Sequence, residues 1–423
     1  RLRLKGMRRA MDILTLAACA LLGGCSQSGE TIMGHSQLAQ LKPDKSGLEG
    51  NADEQGHNES DFADSTAGHY LAARFAQKRH DWKTANRFYA DMLAKSRDKT
   101  GKLKQRAMVL AMGAGDHERA LKLAKDLSDH KEHNSLPALF LILGAIHDTD
   151  YQQAAAHLDT LNKDGIAKFI APLLHGWTRA GLQQNPDWDA LKTNGVHRFH
   201  AILMADYLGN SDYLKQITPK EILKTGISTD ALEHIGDIYV RNDKPETALV
   251  FYKHIQAENP ARTGIDDKIE VVTSADTDLA KKNLEKPIAN PARGAARALF
   301  DMASLLFRDY SDDSARLFTQ MALYLKPDYT DARLLLAHIA TRHGRIDDAL
   351  SYYRTIAGDN KQYTHARQRM AGLLAEKGQR ERAVAILETL AGEKDNIKAR
   401  IQIGDIYRRA ENFDKALASY NQA

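Results

Sequence analysis

The chain has 423 residues, with 59 lysines and arginines against 55 aspartates and glutamates and a formal charge of +4. The excess sits in residues 1–24, where Arg1, Arg3, Lys5, Arg8 and Arg9 oppose Asp12 alone, so the remainder is neutral. It lacks the basic excess or stripe that nucleic-acid binding requires. Of two cysteines, Cys19 falls inside this leader and only Cys25 follows it, which excludes a disulfide in the rest of the chain; a body of this size must then rest on its core, as stacked helical repeats do.

At the front, Met7-Arg8-Arg9 precedes an apolar stretch over residues 13–22, which runs into Leu22-Gly23-Gly24-Cys25. A short charged region, an apolar core and small residues before a cysteine read as a signal peptide over residues 1–24, with residues 1–6 ahead of the expected start at Met7. The stretch is about half the roughly 20 residues needed to span a bilayer. Residues 25–64 are rich in Ser, Gly, Asp, Gln, Asn and His. Too little apolar surface is present there to offset ordering entropy, so the segment reads as a flexible linker with a reach of about 35 Å.

Helical repeats are expected from residue 65. Over 65–228 they are divergent: Ala85, Ala120 and Ala154 stand 35 and 34 residues apart, each with a turn signal before it, His80-Asp81-Trp82, Gly115-Asp116-His117 and Thr149-Asp150-Tyr151. The pattern fades between about 165 and 225, where irregular helical hairpins are expected. Residues 229–260 form a clean unit around Ala248, with Gly236, Tyr239, Tyr252 and Pro260 in place. An irregular spacer follows over 261–294, because Pro287 and Pro291 remove backbone donors and disfavour helix just before them.

Residues 295–423 carry the clearest array. Ala315, Ala349, Ala383 and Ala416 are spaced 34, 34 and 33 residues apart, and twelve residues before each stands a small one: Ala303, Ala337, Ala371 and Gly404. Small side chains let two antiparallel helices cross at about 8–10 Å. Five residues before each alanine the chain turns, at Tyr310, Gly344, Gly378 and Glu411, and four residues beyond it stand Thr319, Tyr353, Leu387 and Tyr420, one turn along the same face. This conjunction is a tetratricopeptide-repeat signature and predicts an all-α, right-handed α-solenoid of helical hairpins. The chain ends at Ala423, inside a second helix, so the array is expected to continue.

With Tyr70-Leu71-Ala72-Ala73-Arg74-Phe75-Ala76, Asn290-Pro291-Ala292-Arg293-Gly294, Ala298-Leu299-Phe300-Asp301 and Ala322-Leu323-Tyr324-Leu325-Lys326-Pro327-Asp328, the chain resembles the tetratricopeptide-repeat lipoproteins of Gram-negative, alphaproteobacterial-type bacteria. The resemblance implies that Cys25 becomes the lipidated first mature residue. It implies a periplasm-facing envelope scaffold whose concave groove takes a protein or peptide. Ser26 resembles the outer-membrane sorting pattern of enterobacteria.

The first-helix residue five places after the small position is expected to face the groove. It is arginine at Arg241, Arg308, Arg342 and Arg409, with Glu376 the exception. Such a row could receive an acidic segment through paired hydrogen bonds, or each arginine could serve only its own helix C-terminus. The inward residues Asp237, Ser304, His338 and Gly372 lack the lysine and asparagine pattern of a chaperone carboxylate clamp. The pairs His130 with His133 and His197 with His200 could share helical faces, but zinc needs three or four ligands and no third stands out. No HExxH, phosphate loop or nucleophile elbow is present. The expectation is therefore a scaffold with no catalytic residue, no cofactor and no metal; a cytoplasmic adaptor is the alternative if the leader pattern is fortuitous.

Overall fold

The computed structural model describes residues 65–423 apart from 96–100, 129–134, 162–165, 275–280, 283, 285, 286, 394 and 395. The expected signal peptide, Cys25, the linker, and His130 and His133 lie outside the described residues. Among the described residues every regular element is a helix. The front part runs α1 (Thr66–Lys78), α2 (Trp82–Lys95), α3 (Lys102–Ala114), α4 (His117–Ser128), α5 (Ser135–His147), α6 (Tyr151–Thr160) and α7 (Ile166–Gly181). Where the repeat pattern fades, a 3-10 turn at Ala190–Lys192 leads to α8 (Gly195–Leu208) and the short α9 (Ser211–Gln216) and α10 (Pro219–Leu223). The clean unit is α11 (Thr229–Arg241) with α12 (Pro245–Glu258), and one helix, α13 (Ile265–Thr273), falls within the stretch read as a spacer. Four hairpins complete the chain: α14 (Pro291–Arg308) with α15 (Asp312–Leu325), α16 (Thr330–Arg342) with α17 (Ile346–Arg354), α18 (Tyr363–Glu376) with α19 (Arg380–Glu393), and α20 (Ile397–Arg409) with α21 (Phe413–Asn421). α14 starts at Pro291 because the Asn290 side chain accepts from the Arg293 amide at 2.9 Å and proline fits the first helical position.

The hairpin turns share one geometry. The residue five before each second-helix alanine is left-handed at His80, Gly115, Thr149, Asp243, Tyr310, Gly344, Gly378 and Glu411, with φ from 54° to 88°. The next amide then bonds back five residues, as in Asp81 to the Ala76 carbonyl at 2.9 Å, Arg345 to Ala340 at 2.8 Å and Asn412 to Tyr407 at 3.0 Å. Those bonds satisfy carbonyls that a helix end would otherwise leave open. At five of the eight positions the residue is not glycine, and the closure is made against steric cost.

At the hairpin crossings the small residues are required by contact. A Cβ on Gly236 would lie 2.4 Å from the Tyr252 ring, and one on Gly404 would lie 2.4 Å from Tyr420. In both units the tyrosine hydroxyl donates to the aspartate following the glycine, Tyr252 to Asp237 at 2.6 Å and Tyr420 to Asp405 at 2.9 Å.

In a regular solenoid each unit touches only its neighbours. Here α14 also packs on α7 and α8, and α15 packs on α3 and α5. The composition of these helices explains why. In α5, Leu136, Pro137, Leu139, Phe140, Ile142, Leu143, Ala145 and Ile146 are all buried, and a helix that is apolar all round must be covered all round. In α15, Asp312 and every residue over 314–322 are buried. α14 fits against α7 through Gly294, where a Cβ would stand 2.4 Å from the Trp177 indole. The front helices therefore curl around the α14–α15 hairpin. One apolar core extends from Ala73 to Ile339 and a second from Leu334 to Ile406, and they meet in α16.

Thr149 is exposed and β-branched at φ 60°, so Thr149→Gly is expected to stabilise the chain by about 1 kcal/mol, whereas Gly344→Val at φ 66° is expected to cost about 1–2 kcal/mol. Urea titrations of both variants followed by circular dichroism check the opposite signs.

Candidate partner-binding surface

The inner sides of the front helices would ordinarily line an open groove. In this chain that groove is filled by the chain itself. The buried Arg316 of α15 donates from Nε to the Gly113 carbonyl at 2.7 Å, and its guanidinium lies 5.7 Å from the Trp82 ring. Gln320 Oε1 is 3.3 Å from His117 Nε2, and Tyr324 stacks on the His147 ring at 4.5 Å. Burial holds the His117 imidazole below its usual value, which fits a neutral ring donating to Gln320.

Deeper in, four side chains join α7, α8 and α14. Trp177 Nε1 donates to His200 Nδ1 at 3.1 Å, and His200 Nε2 donates to Asp301 Oδ2 at 3.1 Å. Indole nitrogen only donates, so Nδ1 must accept and the ring carries its proton on Nε2. Arg297 Nε completes the set on Asp301 Oδ1 at 3.0 Å. Burial pushes His200 down against the pull of Asp301. Burial alone would raise the Asp301 carboxyl, but Arg297 and the His200 bond hold it below the usual carboxylate range.

The same self-covering extends to the unit α11–α12. Asp237, expected on the inward side, is fully buried. Lys268 of α13 binds both its oxygens, at 2.7 and 2.9 Å, and also Glu233 at 2.8 Å. Arg262 reaches Glu233 at 2.5 Å and Asp230 at 2.7 Å. Burial together with the Asp237 carboxylate pushes the Tyr252 phenol far up, so it stays a donor. The stretch that lacks repeat character thus supplies a helix that covers the preceding unit.

The four arginines singled out by phase have different surroundings. Arg241 pairs with Asp206 at 2.7 Å. Arg342 pairs with Asp312 at 2.5 Å, and its guanidinium lies 3.6 Å from the Phe307 ring centroid. Arg308 and Arg409 are exposed. The partners of the first two come from other units, which repeat phase cannot disclose. His197 is held by the Phe169 carbonyl, 2.8 Å from Nε2, so this ring and that of His200 are both bonded within the core. Among the described residues no group of three or more His, Cys, Asp or Glu is arranged to hold a metal ion.

A different cluster emerges on α16 and α18. Burial lowers the His338 imidazole, and the charges of Arg369, His365 and Arg342 push the same way. Burial and Arg369 likewise lower His365. His365 and Arg369 are exposed, while His338 is half-buried beside the Tyr353 ring, with centroids 6.4 Å apart. The Arg369 guanidinium thus stands exposed between neutral imidazoles, beyond the covered part of the array. Sequence phase flagged His338 but neither His365 nor Arg369.

Residues 340–396 and 397–423 match family models described as tetratricopeptide repeat. The fold is an all-α solenoid of such hairpins, and a scaffold of this kind is consistent with protein binding. No curated protein matches the chain. Among solved structures it is similar to yeast Tom70, at 12% identity and a TM-score of 0.29 over 84% of this chain and 91% of that one. It is also similar to the tetratricopeptide domain of P58(IPK), at 14% identity and a TM-score of 0.22 over 84% and 92%, and to a chain of the APC/C hetero-tetramer Cut9–Hcn1, at 15% identity and a TM-score of 0.26 over 84% and 86%.

Asp301→Ala would leave Arg297 and His200 without their shared carboxylate in a mostly buried site. A loss of about 3 kcal/mol is expected. Chemical denaturation measures it, and near-ultraviolet circular dichroism of Trp177 should report the loosened α7–α14 contact.

Proposed function

We propose that this chain is a membrane-tethered scaffold of the bacterial cell envelope that holds an acidic segment of a partner protein against α16, α18 and α20. The observation that carries the reading is the self-covering of the earlier units. α14 and α15 fill the front groove, Lys268 covers Asp237, and the exposed Arg369 guanidinium and His365 imidazole stand beyond them. The exposed Arg369 guanidinium favours a carboxylate-bearing ligand, and a carboxylate placed there would draw a proton onto His365. Exposed Arg308 and Arg409 extend the same charge along the array.

The tether rests on the leader. Leu22-Gly23-Gly24-Cys25 supplies the acceptor cysteine, and residues 25–64 supply the reach. No described helix is long and apolar enough to cross a membrane, and in this reading lipid on Cys25 provides the attachment. Ser26 favours the outer membrane over the inner. We assign the chain no catalytic role and no cofactor.

Two measurements test these parts separately. Cys25→Ser is expected to abolish a lipid-sized mass increment and to move the protein out of the membrane fraction; an unprocessed wild-type chain in the cytosol would instead establish a cytoplasmic adaptor. A photo-crosslinker at His365 should capture one dominant envelope protein, and Arg369→Glu should reduce that capture at least tenfold, equivalent to about 1.4 kcal/mol. Equal capture from exposed Glu381 on α19 would refute a specific surface on α18.

A further inference from the structure

Where the back of the array touches the front, the contact is polar. The second apolar core contains only residues from Leu334 onward, so α17 to α21 share no buried apolar cluster with the front helices. They are joined through α16 and by the Arg316–Tyr352 hydrogen bond at 3.0 Å, and steadied by a seam between two hairpin turns. The turn after α1 brings Lys78, Arg79, His80 and Asp81; the turn after α16 brings His343 and Arg345; α15 adds Asp312 and Asp313, α16 adds Arg342, and α17 adds Asp347 and Asp348.

At the centre of this seam the His80 and His343 rings lie face to face, with centroids 3.5 Å apart and planes 20° apart. Each has its own carboxylate: His80 Nδ1 is 3.0 Å from Asp313 Oδ1, and His343 Nε2 is 2.9 Å from Asp312 Oδ2. Asp312 is already bound to Arg342. On the flank, Arg345 ties Asp81 at 3.0 Å to Asp348 at 3.0 Å, and Lys377, just after α18, occupies Asp347. Asp312, Asp81, Asp348 and Asp347 therefore have cationic partners before either imidazole takes up a proton, and Asp313 faces His80.

We propose that the stacked His80–His343 pair is an acid-opened latch: near neutral pH it clasps the turn after α16 to the turn after α1, and full protonation of the pair releases α17 to α21 to swing about α16. One proton on the pair is accommodated by Asp313 and Asp312. A second places two like charges face to face at stacking distance, where little water can come between them. The sign follows from linkage. Burial and then the neighbouring His80 charge hold His343 below its ordinary value of 6.5, outweighing the opposing pull of Asp312 and Asp313. The open form thus binds the second proton more readily than the closed form, so closure is fully present above 6.5 and is lost as the pH falls below it.

The latch changes the direction in which the surface of α18 is presented and leaves its side chains unaltered. It stands independently of any reading of what that surface binds. The test uses the full chain with spin labels on unnatural amino acids at the exposed positions Lys83 of α2 and Glu388 of α19, read by pulsed dipolar distance measurement at about pH 7.5 and about pH 5.5, the range over which histidine changes charge. The fraction of the long-distance population is expected to rise severalfold on acidification, with helical circular dichroism unchanged. His80→Phe with His343→Phe keeps a ring stack that cannot be charged, and should stay closed at both values. The single variants His80→Asn and His343→Gln should each remove the acid response if the double variant folds poorly. A distance that does not change with pH in the wild type, or an equal acid response in the phenylalanine and single variants, overturns the proposal.

Discussion

The close approach of α14 to α7 is the constraint on which the rest of this molecule depends. Gly294 lets the Trp177 indole lie directly on the α14 backbone, and the indole then orients His200, which orients Asp301 and Arg297. With α14 fixed there, α15 follows the hairpin turn at Tyr310 into the space between α3 and α5. Burial of α15 on all sides brings Arg316 to the Gly113 carbonyl and Asp313 to His80. An added Cβ at position 294 would disturb each of these contacts in turn, although none but the first lies near it.

Polar groups are distributed according to the same constraint. Inside the wrapped part the ionisable side chains at the α7–α14 contact and under α13 are paired and neutral or charge-compensated, as burial demands: the indole and imidazole of Trp177 and His200, the hydroxyl of Tyr252 on Asp237, and Lys268 on Asp237 and Glu233. Beyond the wrapped part, on α18, His365 and Arg369 stay exposed, and the Arg369 charge disfavours a proton on His365. Covered and uncovered units thus differ in how their polar side chains are satisfied, a difference that repeat phase does not carry.

Much of the local fold was legible because it depends on spacing alone. The small residue, the turn and the alanine recur with a fixed offset, and the structure places the turn residue in the left-handed region whether it is Gly344, Gly378, Tyr310 or Glu411. The wrap was not legible from that pattern, since a period of about 34 residues encodes only how a unit meets its neighbour. A trace of it was nonetheless present. Ser135–His147 has no polar face, and the Ala-rich start of α14 includes a glycine at 294 that no hairpin crossing requires. The arginine positions show the same limit. Phase put Arg241 and Arg342 at equivalent places, but Asp206 and Asp312 reach them from elsewhere in the fold. His365 and Arg369 escaped notice because nothing in their spacing sets them apart; what draws attention to them is the absence of a cover.

The wrap also alters how the chain must be made. An open solenoid can fold outward from any unit, because its contacts are short in sequence. Here Arg316 bonds to a carbonyl 203 residues earlier and Asp313 meets His80 across 233 residues, separations that slow folding by the entropy of closing long loops. At about 5–20 residues per second of synthesis, α5 waits roughly 10 to 40 seconds with its apolar inner side uncovered before α15 exists. For that interval the front half is a curl around nothing, and the first occupant of its groove need not be its own hairpin.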